Sequence, residues 1–274
     1  MKVFVSVDLE GVAGVVDWAQ ITRTGEDYAL GRRLALAEVN AAIEGALAAG
    51  ATEILVNDAH SVMRNLAPDE LAGQASYLSG RYKPLYMMQG LDASFDAVLF
   101  LGYHAAMPTP GILSHTYNPG AVHDVRINGT VAGESGLNAL VAQHHRVPVA
   151  VVTGDQYVGP EAAPFCPGVT PIVVKESTNR YAATSLHPER ARRAIHDGVR
   201  AALAGLAGLT PPAIDLPVRI EVDLVSPDMA EQSAWIRGVT RTGTRTVAYT
   251  EDDALTAFRT FMTLVYLTRS LVER

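Results

Sequence analysis

The chain has 274 residues, 48% hydrophobic and 19% charged, enough for one large buried core with a smaller appendage. Its 22 Lys and Arg against 29 Asp and Glu give a net charge of −7 with no basic run, which argues against nucleic-acid or anionic-membrane partners. The single Cys166 excludes an intramolecular disulfide and reads as a small buried hydrophobe. No stretch approaches the ~18 apolar residues of a membrane span, and Asp8 breaks the N-terminal apolar run before a signal-peptide core could form, so a cytoplasmic protein is expected.

Short apolar runs alternate with helical patterns along the chain. Val3 to Val7 is a strand, followed by a loop containing Gly11 and Gly14. A helix follows, with Thr24 and Asp27 as the expected capping pair, Leu36, Val39, Ile43 and Leu47 on one stripe, and Gly50 as its stop. Glu53 to Asn57, Asp96 to Leu101, Val147 to Thr153 and Pro171 to Val174 read as further strands. They are nearly continuous in apolar residues, as in a parallel sheet covered on both faces. Val125 to Ala132 reads as a hairpin around Asn128-Gly129, a pair that tolerates positive φ. Helices are expected over Gly133 to His145, Pro188 to Leu206 and Asp252 to Leu271, the last capped by Thr250 and Asp253. Val218 to Leu224 and Thr244 to Tyr249 read as later strands.

The expected fold class is α/β, a three-layer arrangement with a mostly parallel sheet covered by helices. Residues 1–212 form the catalytic domain, and residues 213–274 a smaller α+β region with a role in assembly.

Potential metal ligands fall where the strands stop. Asp8 and Glu10 end the first strand, Asp58 and His60 follow the second, and His104 follows the third. Open parallel sheets bind ligands at the carboxyl ends of their strands. Glu134, at a helix start behind Gly133, is placed to close the same site. Each piece alone has a plain reading as a cap, a turn or a surface histidine. Their coincidence at three strand ends favours a metal site. Carboxylates mixed with imidazoles suit Zn, Mn or Fe, and the set is large enough for two ions. Asp58 is either a partner that orients a ligand or the cap of the following turn. Trp18 and Trp235 could line a pocket or an interface, with core or interface packing the favoured reading, and the arginines between 190 and 200 read as a solvated helix face.

Five motifs in one order then carry a resemblance: Ser6-Val-Asp-Leu-Glu-Gly11, Val56-Asn-Asp-Ala-His-Ser61, Leu101-Gly-Tyr-His-Ala105, Ser114-His-Thr116 and Gly133-Glu-Ser-Gly-Leu-Asn138. Together they resemble the D-aminopeptidase family of dinuclear zinc peptidases. The resemblance implies two zinc ions per subunit, with manganese as the alternative. Asp8 would bridge them, Glu10 and His60 would complete one shell, and His104 and Glu134 the other. The family's catalytic histidine falls on His115; whether it acts as acid/base, nucleophile or oxyanion stabiliser stays open. The implied reaction is hydrolysis of the first bond of short peptides with a D-configured N-terminal residue, by water whose pKa a metal brings from 15.7 toward ~7. A homo-oligomeric ring, a decamer, is implied as well.

Three other readings compete. Asp8-x-Glu10 with Thr153-Gly154-Asp155 fits a Mg-dependent phosphohydrolase of the haloacid-dehalogenase kind, which needs a Lys clamp and leaves His60, His104 and Glu134 unused. A two-metal hydrolase of another amide or of L-peptides keeps the site and changes the substrate. A purely structural metal is disfavoured by the carboxylate-rich ligand set.

Overall fold

The computed structural model describes residues 1–73 and 75–272. In chain order the elements are β1 (Lys2–Val7), α1 (Tyr28–Ala48), β2 (Glu53–Asp58), β3 (Ser76–Leu78), β4 (Ala97–Leu101), β5 (Val122–Ile127), β6 (Thr130–Val131) and α2 (Glu134–His145). Then come β7 (Val149–Gly154), α3 (Val158–Ala162), β8 (Thr170–Val173), β9 (Lys175–Asn179), β10 (Ala182–Ser185) and α4 (Pro188–Ala204). The chain closes with β11 (Val218–Leu224), α5 (Pro227–Ser233), β12 (Thr240–Arg241), β13 (Thr246–Glu251) and α6 (Ala254–Thr268).

Six strands form a parallel sheet in the order β3-β2-β1-β4-β7-β8. Its central strands are mostly apolar because both faces are covered, with buried polar residues such as Ser6, Asn57 and Thr153 near their carboxyl ends. Val3, Val5 and Val7 face α1 and α4, together with Leu99 and Leu101, while Phe4, Val98 and Phe100 point into the opposite core with α2 and α6. Helix α4 offers the sheet one narrow stripe, Ala191, Ile195, Val199 and Leu203, and leaves Arg190, Arg193 and Arg200 exposed. Helix α6 is apolar on more than one side because it packs on α2 and also on β11 and β13. Those two strands belong to an antiparallel sheet, β12-β13-β11-β5-β6. It takes β5 and β6 from residues 122–131 and its other three strands from beyond residue 217. Asn128 (φ 50°) and Gly129 (φ 84°) make the hairpin turn that their sequence signals.

The helix starts differ from the sequence-based expectation. Asp27 occupies the N-cap of α1, in place of Thr24, and makes no side-chain cap bond; just before it Gly25 passes so close to Ala19 that a Cβ there would lie 2.1 Å from the Ala19 carbonyl oxygen. Thr250 lies inside β13, paired with Arg219, and the cap of α6 is Asp253, whose carboxylate accepts from Thr256 N. Leu47, on the last turn of α1, is 43% exposed and only edges against the Gly73 loop. Cys166 is buried, and burial pushes its thiol pKa up. Among the described residues no helix is long and apolar enough to cross a membrane.

Two glycines let the β1 and β4 loops lie back to back. Gly11 N donates to Gly102 O at 2.7 Å, and Asp8 N donates to Leu101 O at 2.8 Å. A Cβ on Gly102 (φ 70°) would sit 2.2 Å from Asp8 O. Gly102→Ala is therefore expected to cost roughly 2–5 kcal/mol, the left-handed penalty plus overpacking. Gly50→Ala, at φ 92° with nothing within 4 Å of the new Cβ, should cost only about 1–2 kcal/mol. Urea unfolding of the two variants checks the difference; equal losses would contradict the collision.

Candidate metal centre

Strand β1 lies between β2 and β4, so the loops leaving their carboxyl ends are neighbours. They bring in Asp8 and Glu10, His60, and His104. Glu134 enters from the first turn of α2, and His115 from the long loop between β4 and β5. All six are buried. Asp8, Glu10, His60, His115 and Glu134 line one cavity of about 470 Å³, and the His104 ring stacks on His115 at 4.1 Å with 8° between planes.

Asp8, Glu10 and His60 each bring a ligand atom to within 4.8 Å of the others, and so do Asp8, His104 and Glu134. The two sets share Asp8. Glu10, His104 and His115 form a third set by the same measure.

Backbone carbonyls set the protonation pattern of the three rings. His60 Nε2 meets Ile21 O at 3.0 Å, His104 Nδ1 meets Ala105 O at 3.0 Å, and His115 Nδ1 meets Leu113 O at 2.9 Å. A carbonyl only accepts, so each of these nitrogens carries the hydrogen and the opposite nitrogen faces the carboxylates. His60 Nδ1 lies 3.0 Å from Asp8 Oδ1 and 3.1 Å from Glu10 Oε2. His104 Nε2 lies 3.5 Å from both Asp8 Oδ2 and Glu134 Oε1. Asp8 Oδ2, Glu10 Oε2 and His104 Nε2 are buried without a hydrogen bond. A neutral imidazole presenting its lone pair to a carboxylate is repelled, so this geometry calls for a cation between them, a proton or a metal. The mixed N/O donors fit Zn or Mn.

The pKa shifts report the same demand. Burial, then the charges of Glu10 and Glu134, push Asp8 up to about 8. Burial would raise Glu10 and Glu134 too, but His60 holds the first well below the usual carboxylate range and His104 lowers the second. Burial would lower His60 and His104, yet the carboxylates drive His60 well up and His104 up to about 10. His115 goes the other way, down to about 4, through burial and the charge of His104.

Several supports have no obvious sequence signature. Lys175, the first residue of β9, is fully buried, and its ammonium donates to the carbonyls of Glu10 (2.5 Å), Val12 (2.9 Å) and Val15 (2.7 Å). The available signal is a lysine ending an apolar strand run. Arg180, at the β9–β10 turn, braces the His115 loop: its carbonyl accepts from Leu113 N, and its guanidinium donates to Ser114 O at 2.9 Å. The Trp18 ring lies 5.9 Å from the Arg180 guanidinium and 5.5 Å from the His115 ring, and it lines the cavity while packing against the core. Trp235 is 72% exposed. Asp58 caps its turn, accepting from Asn65 N, Leu66 N and the Tyr77 hydroxyl, and does not meet the His60 ring.

The phosphohydrolase reading lacks its clamp. The chain has three lysines. Lys2 donates to Ser94, Lys83 to Asn57 and two carbonyls, and Lys175 to its three carbonyls. Asp155 is occupied by Ile112 N and Tyr157 N.

Comparison with known proteins places the chain in a family. The family described as Peptidase M55, D-aminopeptidase, matches residues 1–263. A D-aminopeptidase of Bacillus subtilis (strain 168) is 38% identical over 271 residues, 97% of either chain. A solved structure described as a Zn-dependent D-aminopeptidase DppA from Bacillus subtilis, a self-compartmentalizing protease, superposes with a TM-score of 0.93 at 35% identity, covering 97% of both chains.

The stacked histidines predict a pH signature in metal-free protein. His115 should stay neutral down to about pH 4, and His104 should stay protonated up to about 10. With a folded pKa below its unfolded value near 6.5, His115 contributes stability that is present above 6.5 and lost as pH falls through about 4. His104 contributes stability that is present below 6.5 and lost as pH rises through about 10. An NMR titration of the imidazole protons checks both; two rings titrating together near 6.5 would contradict the arrangement.

Proposed function

Because the chain belongs to the D-aminopeptidase family of peptidases, we propose that it is a metal-dependent D-aminopeptidase that removes a D-configured N-terminal residue from short peptides. The observation that carries this reading is the pair of ligand sets joined by Asp8 at the floor of one cavity. In the proposed assignment Asp8, Glu10 and His60 would hold one zinc ion, and Asp8, His104 and Glu134 the other. Bound there, the ions would polarise the scissile carbonyl and activate water.

The chain's own residues supply the rest. His115 carries its hydrogen on Nδ1, tied to Leu113 O, and turns Nε2 toward the cavity, 3.8 Å from Glu134 Oε1. A ring held neutral in this way can accept a proton at Nε2 as the attack proceeds and return it to the leaving amine. The His104 ring stacked on it and the Trp18 edge fix its plane. Tyr117 N donates to Glu134 Oε1 at 2.8 Å, the oxygen that also faces the Nε2 atoms of His104 and His115, and so fixes the carboxylate's orientation.

The reading extends to assembly and location. The similar solved structure is described as a self-compartmentalizing protease, and we extend this to a homo-oligomeric ring, ten subunits by family resemblance, with residues 213–274 contributing to the contacts. Three of the large exposed apolar side chains, Leu216, Val225 and Trp235, lie in that region. A cytoplasmic location is in keeping with the single buried cysteine. Light scattering of the purified protein tests the ring; a monomer would remove it.

Matched D-Ala and L-Ala dipeptides test the activity. The D-peptide alone is expected to be cleaved, with activity lost on chelation and restored by zinc or manganese. Cleavage of neither, with two metals still bound, would keep the site and reject the substrate.

His115→Ala should retain both metals and lose turnover by about 10²–10⁴-fold, whereas His104→Ala should lose metal as well. Elemental analysis separates the two. Metal loss in His115→Ala would make His115 a ligand, as the third set allows.

A further inference from the structure

The cavity is polarised. Every acidic residue lining it, Asp8, Glu10 and Glu134, belongs to the floor. At the rim stand two arginines from distant parts of the chain, Arg81 after β3 and Arg269 directly after α6. Both are exposed. Among the described residues the arginines that form ion pairs are Arg126, Arg219 and Arg241; neither rim arginine is one of them.

An aromatic ring, not a carboxylate, supports Arg269 at this rim. The Arg269 guanidinium lies 5.7 Å from the Tyr266 ring centre, and Tyr266 meets Tyr86 and Tyr82 edge-on at 6.1 Å and 6.0 Å. A guanidinium resting on a ring face keeps its N–H fork available for a planar anion. Tyr86 and Tyr117, whose rings lie 5.4 Å apart, line the wall of the same cavity. Burial pushes the Tyr86 hydroxyl pKa up, with opposing contributions from the charges of Arg269 and Glu134.

An aminopeptidase substrate places its free amine beside the metal floor. A peptide of two or three residues, about 7–10 Å when extended, carries its other charge at the opposite end. We propose that Arg81 and Arg269 form a clamp for the C-terminal carboxylate of the substrate, which makes the enzyme selective for very short peptides with a free carboxyl end. The proposal rests on the aminopeptidase reading and adds a second anchor to it. The cavity of about 470 Å³ is of ordinary small-ligand size and has no need of a long chain.

The test compares D-Ala-D-Ala with its C-terminal amide. The wild-type enzyme should prefer the acid by about tenfold or more in kcat/KM, mainly through KM, as expected for a charge-assisted pair at a rim. Arg81→Ala combined with Arg269→Ala should bring the acid-to-amide ratio close to one, Arg→Lys at both positions should recover part of it, and added salt should shrink it. Calorimetric binding of both peptides to zinc-loaded His115→Ala gives a readout without turnover and should show the same order. Equal use of acid and amide by the wild-type enzyme, or a ratio that survives the double substitution, would overturn the clamp while leaving the aminopeptidase intact. If neither peptide is bound or cleaved, the aminopeptidase reading itself fails and the clamp falls with it.

Discussion

Three carboxylates, Asp8, Glu10 and Glu134, are buried around one cavity floor, and like charges removed from water persist only where cations stand among them. Without metal the imidazoles of His60 and His104 take that part by holding protons far above their ordinary range. Two divalent ions would do it more completely, slightly over-compensating the three acids and returning both rings to the neutral form that ligates. The floor is thus poised between two ways of satisfying one electrostatic demand. Proton and metal compete for the same nitrogens, which is the physical basis of pH-dependent metal binding.

The rest of the architecture holds that floor still. Placing β1 between β2 and β4 makes the ligand-bearing loops adjacent, and Gly11 and Gly102 let two of them touch backbone to backbone. Lys175 spends its ammonium on three carbonyls of the Glu10 loop, doing for irregular backbone what a helix or sheet ladder does elsewhere. On the other side of the site Arg180 braces Leu113 and Ser114, and Leu113 in turn fixes the hydrogen on His115. Both supports come from β9 and its turn, so one short polar hairpin steadies a proposed ligand and the proposed catalytic base.

Much of this is legible in the sequence, for reasons that can be named. Asp8, Glu10, His60 and His104 stand out because each falls where an apolar run stops, and a parallel sheet gathers such positions on one rim. The Asn128-Gly129 turn is equally plain, since both residues adopt the positive φ that few others tolerate. His115 is legible only through family resemblance, because a histidine in a loop has no periodicity to locate it. The β9–β10 hairpin is hidden because Lys-Glu-Ser-Thr-Asn and Ala-Ala-Thr-Ser carry no apolar alternation. Nor can local pattern reveal that β5 pairs with β11, some ninety residues further on. The rim arginines belong to the same class: Arg81 and Arg269 share a cavity only after α6 has packed across α2.

One point of chemistry bears on which histidine is left to move protons. A ring with one nitrogen tied to a carbonyl has a single lone pair to give, so His104 Nε2 can serve one ion. If it is given to the ion shared by Asp8 and Glu134, the alternative set of Glu10, His104 and His115 loses a member and cannot bind on its own. His115 Nε2, at 3.8 Å from Glu134 the most distant of the three from a carboxylate, then remains free above the floor. Its depressed pKa keeps it a base in metal-free protein, and nearby dications would depress it further. In the proposed assignment the stacking of His115 on His104 would do more than pack: a ring neutralised by coordination would lend its neighbour a rigid face without the positive charge it carries in the metal-free state.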